Sequence, residues 1–428
     1  MRGAARLVAV VAVLAAAVPA RATNGMRMIG FGPVQGSMGG VGVGATLDAS
    51  SVASNPAGLT ELGGRLDVGA TWFKPTVDYQ ATEAQMPPGF TGAVVAQPGQ
   101  VIDSRRGGSL IPAVGAAFPV GDSLALGIGL FGVAGMGVNY PSNLYGGPTY
   151  TSYMQARLTP GLGWKINDAW SVGVTFNAML AQMKWDVAAG FGQQPHDTAS
   201  SYGYGATFGV KFRPVKSVAL GLAYETKSIF QEFKFDVPAH GGVNPATFAP
   251  VPFPGGTDRL QFDQPSVTTL GAAWSPIEAL LLAADLEWIR WSQTNGKNQP
   301  TFNNDTMATG AMPWNMNWED QMVLKVGAQF QAPRGVKVRV GYNYGKMPLD
   351  PDRAFENIAF PAVAEHHFTA GLGWDVGAWG VNVGGTYAPR ATLKGSNGAY
   401  PAMGGQAIAS YETRMSQYAV DLGVSYRF

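Results

Sequence analysis

The stretch QYAVDLGVSYRF, Gln417–Phe428, decides the fold. Tyr418, Val420, Leu422, Val424, Tyr426 and Phe428 alternate with Gln417, Ala419, Asp421, Gly423, Ser425 and Arg427. Successive side chains of a strand point to opposite faces, so one face is apolar and aromatic and the other small or polar. The run is longer than an ordinary globular strand and suits one that crosses a membrane at a tilt.

The same pattern recurs upstream. Trp170, Val172, Val174 and Phe176 alternate with Ser171, Gly173, Thr175 and Asn177. Val336, Val338, Val340, Tyr342 and Tyr344 alternate with Lys337, Arg339, Gly341 and Asn343. Tight turns fall at 119–123, 167–169, 214–217, 275–278, 332–335 and 377–378. Long connections fall at 81–108, 139–152, 186–198, 236–263, 293–318, 347–363 and 392–413. Six turns and seven loops join fourteen strands. An even count, with short turns on one side and long loops on the other, is the rule of bacterial outer-membrane barrels. Trp72, Trp164, Trp170, Trp185, Trp274, Trp288, Trp379 and Tyr426 stand near strand ends, where aromatic girdles belong. A soluble sandwich would carry polar residues on the outward positions that here hold Val, Leu, Phe and Tyr.

Composition agrees. Charged residues are 13% of the chain, about half the usual quarter, while 46% are apolar. The 58 glycines follow no collagen period and sit repeatedly on the non-apolar face of the strands. The absence of Cys removes disulfides, thiolate metal sites and cysteine nucleophiles. With 29 basic against 28 acidic residues, nothing points to nucleic acid.

Arg2 and Arg6, an apolar run from Leu7 to Val18, and Ala20-Arg21-Ala22 form a secretory leader, expected at 1–22 with the mature chain starting at Thr23. After it, no apolar run is long enough for a membrane helix. Residues 23–64 do not alternate. They are too long for a linker and are expected to lie inside the barrel as a plug, because a lumen this wide must be filled. The glycines at 40, 42 and 44 do not make a nucleotide-binding loop. The barrel itself is expected over 65–428.

The segment SMGGVGVGATLDASSVASNPAGL (Ser37–Leu59) resembles the N-terminal hatch of the FadL family of outer-membrane transporters. Trp318-Glu319-Asp320, RVGYNYGKMPLD (Arg339–Asp350), Glu365–Phe368 with Ala370–Trp374, and the terminal Phe428 extend the resemblance over nearly the whole chain. It implies an all-β membrane protein: a 14-stranded antiparallel transmembrane β-barrel plugged by an N-terminal hatch. It also implies uptake of hydrophobic compounds across the bacterial outer membrane, and with no energy-coupling element visible in the sequence passive diffusion is expected. In such proteins an NPA segment, here Asn55, Pro56 and Ala57, lies against an inward kink of the third strand that opens a lateral gap. That strand is Leu124–Val138, whose Gly127, Gly129, Gly132, Gly135 and Gly137 make a kink inexpensive. Residues near the mature N-terminus close the ligand pocket in the family. Met26, Met28, Ile29 and Phe31 are the candidates.

Phe233, Phe235, Val243, Phe248, Val251 and Phe253 lie on or beside one long loop and read as a ligand-capture surface. Arg157, Lys165, Lys211, Lys325 and Arg339 read as lumen-facing and could hold a carboxylate; lumen acids such as Asp285, Glu287 or Asp421 compete for them. The ligand expected is a long-chain fatty acid. Aromatic hydrocarbons by the same route, a general porin and a structural barrel are the alternatives. No enzymatic activity, cofactor or metal is expected. His366 and His367 point to opposite faces and cannot chelate together, and Asp350-Pro351-Asp352 reads as a turn. The partners expected are a hydrophobic small molecule, outer-membrane lipid and lipopolysaccharide, with no nucleic acid and a monomeric barrel.

Overall fold

The computed structural model describes residues 24–85, 99–141, 149–188, 193–243, 250–303, 312–313, 315–354, 357–395, 398–399 and 408–428. The leader expected at 1–22, and Phe248 of the capture loop, lie outside the described residues. Fourteen long antiparallel strands stand among them. The first seven are β1 Arg65–Gln85, β2 Ser109–Val120, β3 Leu124–Met136, β4 Thr149–Lys165, β5 Trp170–Ala188, β6 Gln193–Val215 and β7 Val218–Glu225. The rest are β8 Val267–Ile277, β9 Leu280–Ile289, β10 Gln321–Gln331, β11 Val336–Gly345, β12 His366–Val376, β13 Trp379–Lys394 and β14 Ile408–Arg427. Each pairs with its chain neighbour, and β14 returns to β1 from Arg65↔Arg427 to Gln85↔Ile408. Closure pairs the strand edges, as lipid requires.

The period-two pattern sorts as expected. Val420, Leu422 and Val424 are exposed on the outer wall, while Gln417, Asp421 and Ser425 are buried within. Trp72, Trp164, Trp170, Trp274, Trp288, Trp379 and Tyr426 are exposed on the outer wall. Trp185 corrects the girdle reading. It keeps the phase of the inward residues Ser171, Thr175, Met179 and Met183 and is buried. The connection at 186–198 is likewise no long loop. β5 and β6 continue upward as a hairpin with Trp185 opposite His196. The two rings stack at 3.7 Å beneath a small outer sheet. That sheet joins Phe233–Val237, Gly256–Gln261, Thr301–Asn303 and Met312–Pro313.

Residues 24–64 run inside the barrel, with two short helices, α1 Gly32–Gly36 and α2 Ser51–Ser54, and a 3-10 turn at Pro56–Glu61. Wall glycines make the room. A Cβ on Gly173 would come within 2.4 Å of the Pro56 backbone, and one on Gly341 within 2.2 Å of Gly39. Neither position could carry a side chain without moving the inner segment. The wall also holds this segment by hydrogen bonds. Asp285 of β9 accepts from the N–H groups of Gly42, Val43 and Gly44 at 2.8, 3.0 and 3.3 Å.

Candidate functional site

The site begins at an irregularity in β3. Gly127 and Gly129 pair regularly with Ala117 and Gly115 of β2, and sit under Val52 and Leu59 of the inner segment. The break comes later. Ala113↔Phe131 is the last β2–β3 pair, and the β3–β4 register shifts between Gly132 and Ala134. β2 continues to Ser109 against β1, so β2 and β3 part here. Of the five predicted glycines, Gly132 flanks the shift. Gly127 and Gly129 admit the inner segment. Gly135 lies beyond the shift, and Gly137 packs closely on Thr151 past the strand end.

The vacated edge of β3 is taken by the N-terminal residues. Met28 N–H donates to Val133 O at 3.1 Å, and Gly135 N–H donates to Met26 O at 3.0 Å. Arg27 bridges Ala134 between them. Met28 packs with Phe73, Ile111 and Ala419, and Met26 is fully buried above them. Phe31 lies 5.5 Å from Phe131, and the Arg157 guanidinium sits 5.0 Å over its face. Ile29 is buried and offers its carbonyl to Lys325 Nζ at 3.2 Å. The four predicted N-terminal residues thus converge on the β3 break and the lumen around it.

Asn55, Pro56 and Ala57 stand elsewhere. Pro56 lies against Gly163, Gly173 and Gly209 of β4, β5 and β6. Asn55 Nδ2 donates to Val43 O at 2.9 Å and to Val210 O at 3.2 Å, while its Oδ1 accepts from Ala57 N–H. The implied placement against the third-strand kink is therefore corrected. The three-glycine floor fits the flat Pro-Ala backbone, and the kink is covered by residues 26–28.

The predicted cations are already engaged. Arg157 reaches Glu225 at 3.1 Å, and Arg27 grips the same carboxylate at 2.9 and 3.2 Å. Lys325 pairs with Glu287 at 2.9 Å and Lys211 with Glu61 at 2.9 Å. Arg339 donates to Gln329 and Asn382 at 2.7 and 2.9 Å. Lys165 is at the turn-side rim, not in the lumen. It bonds Asp168 at 2.7 Å, and that hydrogen bond lowers the Asp168 pKa. Asp421 is buried and accepts from the Thr71 hydroxyl. Sequence reading missed Arg27 and Glu225. Glu225 shares the inward phase of Ala219, Gly221 and Ala223, which could have found it; Arg27 lies in a segment without phase.

Above the ion pairs the lumen is filled by an apolar core that includes Trp185, Phe233, Phe235, Phe262, Trp291 and Trp318. This corrects the capture-loop reading for Phe233 and Phe235. They lie on a strand of the small outer sheet and are buried, with Phe235 edge-on to Trp185 at 6.1 Å. Val243, Val251 and Phe253 belong to a two-stranded hairpin, His240–Val243 with Pro250–Phe253. Inside the core, Gln264 Nε2 donates to the Tyr153 hydroxyl at 3.1 Å, which donates to Gln155 at 3.2 Å. A cavity of about 40 Å³, bordered by Arg27, Phe31, Glu225 and Lys325, lies beside the N-terminal residues. His366 bonds the Tyr342 hydroxyl on the outer wall and His367 is buried inside. Asp350 accepts from Asp352 N–H in a turn.

The family described as outer membrane protein transport protein (OMPP1/FadL/TodX) matches residues 22–428. Comparison with curated proteins gives no match. Among solved structures, the toluene transporter TodX of P. putida superposes with a TM-score of 0.74 at 17% identity, over 94% of this chain and 99% of that one. A FadL homologue of Pseudomonas aeruginosa gives 0.72 at 16%, over 96% and 100%. The toluene transporter TbuX of Ralstonia pickettii gives 0.70 at 16%, over 94% and 99%.

Proposed function

The chain belongs to the OMPP1/FadL/TodX family of outer-membrane transport proteins, a channel for hydrophobic compounds, and on that premise we propose that its cargo is a small uncharged hydrocarbon, a monoaromatic ring first of all. One observation carries the reading. Of the five cations that the sequence offered to a fatty-acid carboxylate, Arg157, Lys165, Lys211 and Lys325 each already face an acid. A carboxylate would have to displace a protein partner, whereas a ring needs only the aromatic and methionine side chains above them. Two of the solved neighbours are toluene transporters, which supports the same choice.

In this reading residues 1–22 are a leader removed from the mature chain, residues 23–64 are a plug, and the barrel works as a monomer without energy input. Cargo enters the upper apolar core, moves past Met26 and Met28, and leaves sideways where β2 and β3 part. The cavity of about 40 Å³ is far smaller than the roughly 150 Å³ that holds a benzene ring. Passage therefore requires the N-terminal residues to move.

The test is uptake of labelled toluene and labelled oleate by cells lacking their own hydrophobic channels. Expression of this chain should speed toluene entry and leave oleate entry unchanged. Accelerated oleate entry without toluene entry would overturn the uncharged-cargo reading.

A further inference from the structure

A cationic group on the outer wall of β13, β14 and β1 takes no part in this pathway. Its height follows from the aromatic residues. Tyr426 and Trp379 are register partners with rings 4.7 Å apart near the turn end of the barrel. Tyr418 and Tyr387 are partners eight residues higher on the same two strands, and Trp72 of β1 packs on Tyr418 at 5.5 Å. Eight residues of tilted strand rise about 20 Å, close to the apolar band of about 25 Å. The two aromatic groups therefore mark the two interfaces, and the loop-side interface faces outward.

Arg414 lies four residues beyond Tyr418, about 10 Å higher, in the head-group layer. It is the register partner of Asp78 and bonds that carboxylate through Nε at 2.6 Å. Arg390, half exposed, bonds the other oxygen of Asp78. One carboxylate thus braces two guanidinium groups. Arg414 Nη2 is buried and has no hydrogen-bond partner among the described residues. Lys74, opposite Tyr418, donates to a backbone carbonyl of Arg106, not to an acid. Lys394 and Glu412 form a neutral pair alongside. Asp103, across from Asp78, is exposed and makes no ion pair among the described residues.

Two guanidinium groups braced at head-group height on one carboxylate, Arg390 half exposed and Arg414 partly so, present a forked set of donors that suits a phosphate. The leaflet outside the barrel is built on a phosphorylated glycolipid. We propose that Arg390 and Arg414, braced on Asp78, hold a phosphate of the outer-leaflet lipid A anchor against the β13–β14–β1 face. The acyl chains of that lipid lie below, along Val420, Leu422 and Val424.

The test uses the full mature chain purified in mild detergent, with lipid retention read by native mass spectrometry. The probes are bisphosphorylated lipid A, its dephosphorylated form and inorganic phosphate. Retention of the bisphosphorylated lipid should fall on the order of tenfold with Arg390→Gln plus Arg414→Gln, and by a similar factor when the phosphates are removed. Arg390→Gln alone, at an exposed position, should give a smaller loss with the barrel's heat-modifiable mobility unchanged. Equal retention of the two lipid forms, or retention unaltered in both variants, would overturn the proposal. Displacement of the lipid by low millimolar inorganic phosphate would overturn it as well, assigning the pair to a free anion.

Discussion

Glu225 is a single carboxylate between two guanidinium groups inside the barrel. Taking such a group out of water costs several kcal/mol, and the attraction of two cations offsets it. Removing it takes from both arginines the one carboxylate they share. Glu225→Ala is expected to lower barrel stability by about 3–5 kcal/mol, measured by urea unfolding in bilayers, whereas Lys165→Ala at the rim should be indistinguishable from the parent. A Glu225→Ala barrel as stable as the parent would mean that the two arginines have other partners. At this scale the sequence was partly legible. Period two put Arg157, Lys211, Lys325 and Arg339 inside. It offered Glu287, the partner of Lys325, but not Glu61, the partner of Lys211, which lies in the inner segment, whose path no period describes.

The element that matters most is the three-residue strand added to β3 by Met26–Met28. It is tied to β3 by two backbone hydrogen bonds and to Glu225 through the Arg27 side chain, and it covers the β2–β3 break. Met28→Pro removes the donor to Val133. Hydrogen exchange at Gly135 should then accelerate at least tenfold, while amides in the paired part of β3 near Gly127 stay protected. Unchanged protection at Gly135 would show that the N-terminal strand is held by side chains alone. The glycines of β3 were readable as a place where a strand can bend. Which of them bends was not, since Gly127 and Gly129 serve the inner segment and only the Gly132–Ala134 step breaks register. The same limit applies to Asn55–Ala57, whose motif was plain but whose floor of Gly163, Gly173 and Gly209 comes from three other strands.

The whole molecule is a closed sheet filled by its own N-terminal segment and, above that, by an apolar core. Such a barrel should pass ions poorly. In planar bilayers the intact barrel is expected to show only rare, brief openings. A chain lacking residues 24–61 that keeps its folded mobility should open more often than the parent, with the upper apolar core still filling the loop end. Large, steady conductance by the full chain would mark an open aqueous pore. The sequence by itself determined the barrel, the strand count and which residues face lipid, because alternation is a local property that each strand carries in full. It also marked residues 23–64 as something other than wall. Only the tertiary structure decided that Trp185, Phe233 and Phe235 belong to the interior, that Arg27 and Arg157 share Glu225, and that β2 and β3 part beside Met28. Those outcomes depend on which distant strands and loops meet, and closing the sheet over the inner segment is what brings them together.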